Sequence, residues 1–248
     1  MELNGKTAIV TGGNGGLGRV ISTFLAKEGV NVAIVYARSK VQADDFASEL
    51  SSEYVKSKAF QCDLTIEKDV QDLVEAVKET FGRVDFLVND AAYNVWIPFK
   101  DIESLTLDEW NKILATNLTG PMLLTKEVSS AMKVTGGRII NISSVAGLSP
   151  TGSSIPYAVS KAGLIHLTKC MAVALAPEIL VNCIAPGYLE GTRATANLDV
   201  EYQEKAKTAS ILEKAADKED IAKQVVSLCA ADTITGQTLV VDSGRVFH

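Results

Sequence analysis

At 248 residues, with 47% hydrophobic and 22% charged side chains, the chain is long enough for a domain with a sizeable core and has the balance of an ordinary globular protein. A net charge of −6 argues against a nucleic-acid partner, which calls for basic patches. No apolar run reaches the ~18 residues needed to span a bilayer, and Met1-Glu2-Leu3-Asn4-Gly5-Lys6 lacks the layout of a signal peptide, so a cytoplasmic protein with no membrane partner is expected.

The chain opens with a short β-rich run, Thr7-Ala8-Ile9-Val10, that leads into Thr11-Gly12-Gly13-Asn14-Gly15-Gly16-Leu17-Gly18. An amphipathic helix follows, with Val20, Ile21, Phe24 and Leu25 on its apolar face. Strand, glycine turn and helix in that order are the context a dinucleotide fingerprint requires. Glycines let the backbone approach a diphosphate, and the helix N-terminus offers it free N–H groups and a positive dipole. Further strands are predicted at 31–36, 57–61, 84–88, 137–142, 179–184 and 237–241, beside a first strand at 6–10. Each is a short apolar run of the kind buried in a parallel sheet. Helical patterns lie between them, the clearest being Val70, Leu73, Val74, Val77 and Phe81, closed by Gly82. The alternation predicts a single α/β domain, a doubly wound parallel sheet of seven strands with helices on both faces.

Late in the chain, Tyr157 and Lys161 stand at i and i+4 in a helical stretch, so both side chains leave the same face one turn apart. A free tyrosine, with a pKa of about 10, is a poor proton-transfer group at neutral pH, and a nearby ammonium lowers that value. Ser144 ends a predicted strand thirteen positions before Tyr157 and can hydrogen-bond a reacting oxygen. Cys62, Cys170, Cys183 and Cys229 form no Cys-x-x-Cys pair and read as reduced core thiols. His166 and His248 are too few for a histidine-rich metal site, and no metal is expected.

With these residues in place, the chain resembles the short-chain dehydrogenase/reductase family, of the β-ketoacyl carrier-protein reductase or carbonyl reductase type, over essentially its whole length. Thr11-Gly12-x-x-x-Gly16-Leu17-Gly18 is similar to the family's cofactor loop, and Leu87-Val88-Asn89-Asp90-Ala91-Ala92 to its Asn-Asn-Ala-Gly signature. Asp63 and Leu64 match the acidic site that contacts adenine, and Pro186-Gly187 the turn beside the nicotinamide. Asn117, Ser144, Tyr157 and Lys161 match the catalytic tetrad, with Ser144 rather than Ser143 at the family spacing. The resemblance implies a Rossmann fold that binds a nicotinamide cofactor. It casts Tyr157 as the proton donor to a ketone or acceptor from an alcohol, and Ser144 as the support for the carbonyl oxygen. Lys161 would lower the tyrosine pKa and bind the nicotinamide ribose, while Asn117 would hold a relay water. The cofactor would touch Thr11, Gly12, Asn14, Gly16, Leu17, Gly18, Arg38, Ser39, Asp63, Leu64, Asn89, Ala91, Tyr157, Lys161, Pro186, Gly187, Leu189 and Thr192. Asp90 and Ala92 depart from the signature and would add a carboxylate and a methyl near the adenosine side. Gly191 stands where the family usually has threonine, and Thr192 would take its place.

At the end of strand two, Tyr36 replaces the carboxylate that would repel a 2′-phosphate, and Arg38 and Ser39 follow it. NADP(H) is therefore the favoured cofactor, with NAD(H) also possible. The substrate segments are apolar and aromatic, with Trp96 and Tyr188 joining Ser144 and Tyr157 as candidate contacts, and they suit a ketone or secondary alcohol on a hydrophobic body. Arg193 is the main basic group near the entrance, which favours a free small molecule over an acyl-carrier protein. An NAD-linked sugar or alcohol dehydrogenase and a non-catalytic nucleotide sensor remain alternatives. A homotetramer is expected, in which the Tyr157 helix pairs across a two-fold axis.

Overall fold

A computed structural model of the protein describes residues 1–196 and 198–247, with Arg193 and Ala194 described by their backbone alone. His248, Asn197 and the Arg193 side chain expected near the entrance lie outside what is described. Seven strands form one parallel sheet: β1 (Thr7–Thr11), β2 (Asn31–Tyr36), β3 (Ser57–Gln61), β4 (Phe86–Asn89), β5 (Gly137–Ile142), β6 (Ile179–Pro186) and β7 (Thr238–Val241). Their order across the sheet is β3-β2-β1-β4-β5-β6-β7. The direction of winding reverses between β1 and β4, and ligands of doubly wound sheets bind at such a point, beyond the carboxyl ends of the strands.

The helices are α1 (Gly18–Lys27), α2 (Lys40–Leu50), α3 (Glu67–Phe81), α4 (Leu107–Leu114), α5 (Gly120–Met132), α6 (Ile155–Leu175), α7 (Arg193–Ala196), α8 (Val200–Thr208) and α9 (Lys218–Ala230). Strand side chains alternate between two cores, as the period of two requires. Ala8, Val10, Val32, Ile34, Phe86 and Val88 face α1, α2 and α9. Ile9, Ala33, Val35, Leu87 and Ile139 face α3, α5 and the far end of α6. Edge strands β3 and β7 have partly exposed side chains, whereas β1, β4 and β5 are buried throughout. Between α4 and α5 a π-turn (Ala115–Thr119) widens the helix at Asn117.

α6 differs from the expectation about apolar runs. It is the one helix among the described residues long and apolar enough to cross a membrane by length and composition. Lys161, inside it, is buried against the sheet, and β6 begins only four residues after α6 ends, at Ile179. The apolarity serves packing on one side, with Leu164 and Ala172 buried, and leaves an exposed apolar stripe on the other.

Candidate active site

The carboxyl ends of the strands open into a cavity of about 630 Å³ that extends from Tyr36 and Arg38 to Tyr188 and Tyr202. Its floor is the turn between β1 and α1. A Cβ at Gly18 would overlap the Gly12 carbonyl oxygen, and Gly12 itself has φ +66°, so glycine is required at both places. A Cβ at Gly16 would lie 2.8 Å from the Gly191 carbonyl oxygen, which brings the loop after β6 over the glycine turn. Gly191 has φ +65°, the left-handed conformation that explains glycine there instead of threonine, and Thr192 lines the cavity beside it. Leu17, at the N-cap of α1, supplies no side-chain hydrogen bond to the first turn, and Gly16 and Leu17 border the cavity there. These features fit the diphosphate of a dinucleotide.

Ser144, Tyr157 and Lys161 meet on one wall. Ser143 and Ser144 diverge because successive extended residues point to opposite sides. The Ser143 hydroxyl donates to the Lys161 carbonyl at 2.8 Å, a structural tie, while the Ser144 hydroxyl accepts from the Ala146 N–H at 3.1 Å and hydrogen-bonds Tyr157. Lys161 Nζ donates to the Ile142 carbonyl at 2.8 Å and stands 5.7 Å from the centre of the Tyr157 ring. Burial brings the Lys161 ammonium down to about 8, against the opposing pull of the Asp90 carboxylate. The Tyr157 pKa is not lowered as expected. Burial pushes it up to about 12, the Ser144 hydrogen bond opposes the rise, and Tyr202 and Asp90 add to it. At neutral pH Tyr157 therefore holds its proton, which makes it an acid ready to donate.

Several residues expected at the cofactor or substrate lie outside the cavity lining. Asn117 does not line the cavity. Its side-chain oxygen accepts the Tyr93 N–H at 2.7 Å, and its amide donates to the Tyr93 carbonyl at 2.9 Å and to Ser160 Oγ at 3.2 Å. The side chain is thus committed to joining the loop after β4 to α6. Asn89 is buried, donating to Asn141 Oδ1 at 2.8 Å and so bridging β4 to β5. Thr11 Oγ1 accepts the N–H groups of Asp90 and Ala91, each at 3.0 Å, and fixes the loop rather than lining the cleft. Gly18 and Ser39 also lie outside the lining, Gly18 because it packs beneath Gly12. The Ser39 carbonyl accepts from Asn14 at 3.4 Å, which ties the glycine turn to the start of α2. Trp96 stacks behind Tyr202 instead of reaching the cavity.

The other expected residues border the cavity: Gly12, Asn14, Gly16, Leu17, Arg38, Asp63, Leu64, Ala91, Pro186, Gly187, Leu189, Thr192 and Tyr188. Hydrogen bonds from the Thr65 hydroxyl (2.6 Å) and N–H (2.9 Å) hold the Asp63 carboxyl below the usual carboxylate range, helped by the Arg38 charge. A Cβ at Gly187 would lie 2.8 Å from the Asp242 Cα, so glycine is needed for the turn to pass β7. Asp90 is placed differently from the expectation. Its side chain borders the cavity and its charge reaches Lys161 and Tyr157, so it stands toward the catalytic side of the cleft. The sequence reading missed Tyr202, Lys112 and Arg245, all of which line the cavity.

The family model for short chain dehydrogenases matches residues 6–203. The chain belongs to the short-chain dehydrogenase/reductase family. It is 35% identical to 3-oxoacyl-[acyl-carrier-protein] reductase FabG of Aquifex aeolicus over 249 aligned positions, covering 98% of each protein. The RhlG/NADP active-site complex of Pseudomonas aeruginosa superposes with a TM-score of 0.89 at 30% identity, covering 98% of this chain and 97% of that one. NADPH-dependent 3-quinuclidinone reductase of Rhodotorula rubra superposes with a TM-score of 0.88 at 26% identity, covering 98% and 92%. The chain is accordingly an oxidoreductase of this family with a small-molecule substrate.

Proposed function

We propose that this protein is an NADP(H)-dependent reductase of a small apolar ketone, running in reverse on the corresponding secondary alcohol. The observation that carries the reading is the meeting of Ser144, Tyr157 and Lys161 on one wall of a cavity that also reaches Arg38. The NADP-bound and NADPH-dependent relatives support the same cofactor. In this reading the glycine turn holds the diphosphate, Arg38 meets the 2′-phosphate as a planar fork suited to it, and Lys161 binds the nicotinamide ribose. When bound, the cofactor supplies the hydride.

The chain's own contribution is the proton and the charge. Ser144 and Tyr157 hydrogen-bond the ketone oxygen and stabilise the negative charge that grows there. Tyr157 gives its phenolic proton to that oxygen, completing the alcohol. The phenolate left behind is stabilised by the Lys161 ammonium and takes up a proton from solvent between turnovers, which restores the acid. A tyrosine held near 12 keeps its proton at neutral pH, which is the form that ketone reduction needs at the start of a turnover. Tyr188, Leu198, Thr151 and Tyr202 around the substrate end suit an apolar body. A cytoplasmic location and a homotetrameric state belong to the same proposal.

The deciding experiment is an assay of the purified protein with a panel of small ketones and their alcohols, using NADPH, NADH and the oxidised forms. NADPH-dependent ketone reduction is expected. Turnover confined to NAD-linked sugars or alcohols would replace this reading, and no turnover with any pair would refute it.

A further inference from the structure

Arg245 lines the cavity and takes no part in the reaction above. It follows β7, one edge of the sheet, whereas Arg38 follows β2 near the other edge. The turn that carries it is fixed. Both oxygens of the buried Asp242 carboxylate are taken by backbone, Oδ1 by the Gly244 N–H at 2.8 Å and Oδ2 by the Val246 N–H at 2.7 Å. Gly244, with φ +79°, supplies the left-handed residue within it. The Gly244 carbonyl accepts the Ile211 N–H at 3.2 Å, and the Ser243 carbonyl accepts the Leu212 N–H at 3.1 Å. These bonds strap the turn to the segment after the lid helix α8.

Arg245 is half-buried, and among the described residues its guanidinium has neither an ion pair nor a side-chain hydrogen bond. No carboxylate of the lining is placed to supply one. Among the described residues those carboxylates are Asp63 and Asp90, which follow β3 and β4. Asp242, close in sequence, is engaged by amides on both oxygens. Glu190 pairs with Lys207 at 2.7 Å, and neither lines the cavity. The rest of this end is apolar and aromatic, with Tyr188 after β6 and Leu198, Tyr202 and Ala206 from the lid. A charge partly withdrawn from water is costly unless a partner meets it.

Resting on the ketone-reductase reading, we propose that Arg245 receives a carboxylate of the substrate, so that the preferred ketone is an oxo acid. Its carbonyl would lie at Tyr157, its apolar body along the lid and its acid group at Arg245. A guanidinium offers a planar fork that matches a carboxylate with two parallel hydrogen bonds. One cation suits one monoanion. A phosphate dianion would call for a second cation, and the others in the lining have places of their own. Lys161 is bonded to the Ile142 carbonyl, Lys112 stands over the Tyr93 ring at 4.1 Å, and Arg38 lies beyond β2.

The test compares kcat/KM with NADPH for methyl ketones that end in a carboxylate, levulinate and its longer homologues, and for their methyl esters. The wild type should prefer the acid of at least one chain length over its ester by roughly 10–100-fold, the worth of a hydrogen bond to a charged group. Arg245→Gln should abolish that preference, through KM more than kcat, because the contact lies away from the reacting carbon. Arg245→Lys, which keeps the charge and loses the fork, should restore part of it. A residue that only shaped the lid would show no such recovery. Calorimetry with hexanoate, an unreactive carboxylate, should detect binding to the wild type and not to Arg245→Gln. No preference for acids, the same loss on acids and esters in Arg245→Gln, or equal binding of hexanoate by the two proteins would overturn the proposal alone. Reduction of no ketone with either NADPH or NADH would overturn the reductase reading beneath it, while the hexanoate titration would still decide the role of Arg245.

Discussion

Trp96 and Tyr202 lie with ring centroids 4.9 Å apart and planes tilted by 58°, joining the loop after β4 to the lid helix α8. The Tyr202 hydroxyl also accepts the Gly152 N–H at 3.0 Å, so one side chain ties together three segments at this end of the cavity. The neighbouring Tyr188 hydroxyl donates to Gln203 on the same helix at 2.8 Å. The lid is therefore held by aromatic rings with polar tips, which pack and hydrogen-bond at once.

Tyr202→Ala should open this wall. The expected outcome is a loss of about tenfold in kcat/KM for a small ketone, because positioning is lost, together with a relative gain for bulky aryl ketones. A size series of ketones assayed with wild type and variant checks it. An unchanged ranking of substrates would show that Tyr202 does not shape the pocket. Tyr202→Phe, which removes only the hydroxyl, should keep the ranking and cost about 1 kcal/mol of stability, the usual net worth of one hydrogen bond.

Tyr157→Phe removes the acid and keeps the ring. Loss of a positioned acid or base typically costs about 10²–10⁴-fold in rate, and that loss is expected here with cofactor affinity nearly unchanged. In the wild type, ketone reduction needs Tyr157 protonated and Lys161 charged. Tyr157, near 12, retains its proton through the working range, so the first group to fail is Lys161, near 8. Reduction at saturating cofactor should be flat below about 8 and fall above it. A pH profile with a single alkaline limb checks this, and a rate that climbs through pH 9 would contradict it.

The sheet was legible because strands such as β1, β2 and β4 are apolar runs bounded by polar residues. The predicted 6–10 and the observed Thr7–Thr11 differ by a residue, and the predicted 179–184 extends to Pro186. Those end residues carry no apolar signal and are recruited by pairing, as Pro186 is beside Val241. Tyr157 and Lys161 were legible because helical spacing alone puts them on one face. Tyr202 was not, since Val200–Thr208 is polar on most of its surface and is placed by Trp96 and Gly152 rather than by its own periodicity. The surroundings of Asp90 were equally hidden, because Tyr157 and Lys161 on α6 are far away in sequence.

The proposed assembly would use surface that the fold leaves uncovered. On α6, Val173 is 84% and Val159 44% exposed, and Leu118, Met122 and Leu167 border a shallow apolar groove between that helix and the π-turn and α5. Edge strand β7 leaves Leu239 partly exposed as well. Two separate apolar surfaces on one chain suit dihedral symmetry. A homotetramer by light scattering is expected, and Val173→Glu should shift it toward smaller species. A monomer at micromolar concentration would refute the expectation.

The proposed preference for NADP(H) rests on Arg38. It lines the cavity beside Tyr36, which is buried at the end of β2 and leaves no carboxylate to repel a phosphate there. Asp63 lies close enough to feel its charge, yet that carboxyl is occupied by two hydrogen bonds from Thr65, so the guanidinium is not tied up by a direct ion pair. Asn14 reaches across to the Ser39 carbonyl and holds the segment around Arg38 against the glycine turn. A planar fork in a fixed loop grips a 2′-phosphate with two parallel hydrogen bonds, and such charge-assisted contacts are about twice as strong as neutral ones. Arg38→Ala should therefore raise KM for NADPH by roughly 10–100-fold, on the basis of about 1.5–3 kcal/mol for a hydrogen bond to a charged group, and leave KM for NADH almost unchanged. Steady-state titration of both cofactors checks it, because only one of them carries the phosphate. Equal losses with the two would mean that Arg38 supports the loop and does not read the cofactor.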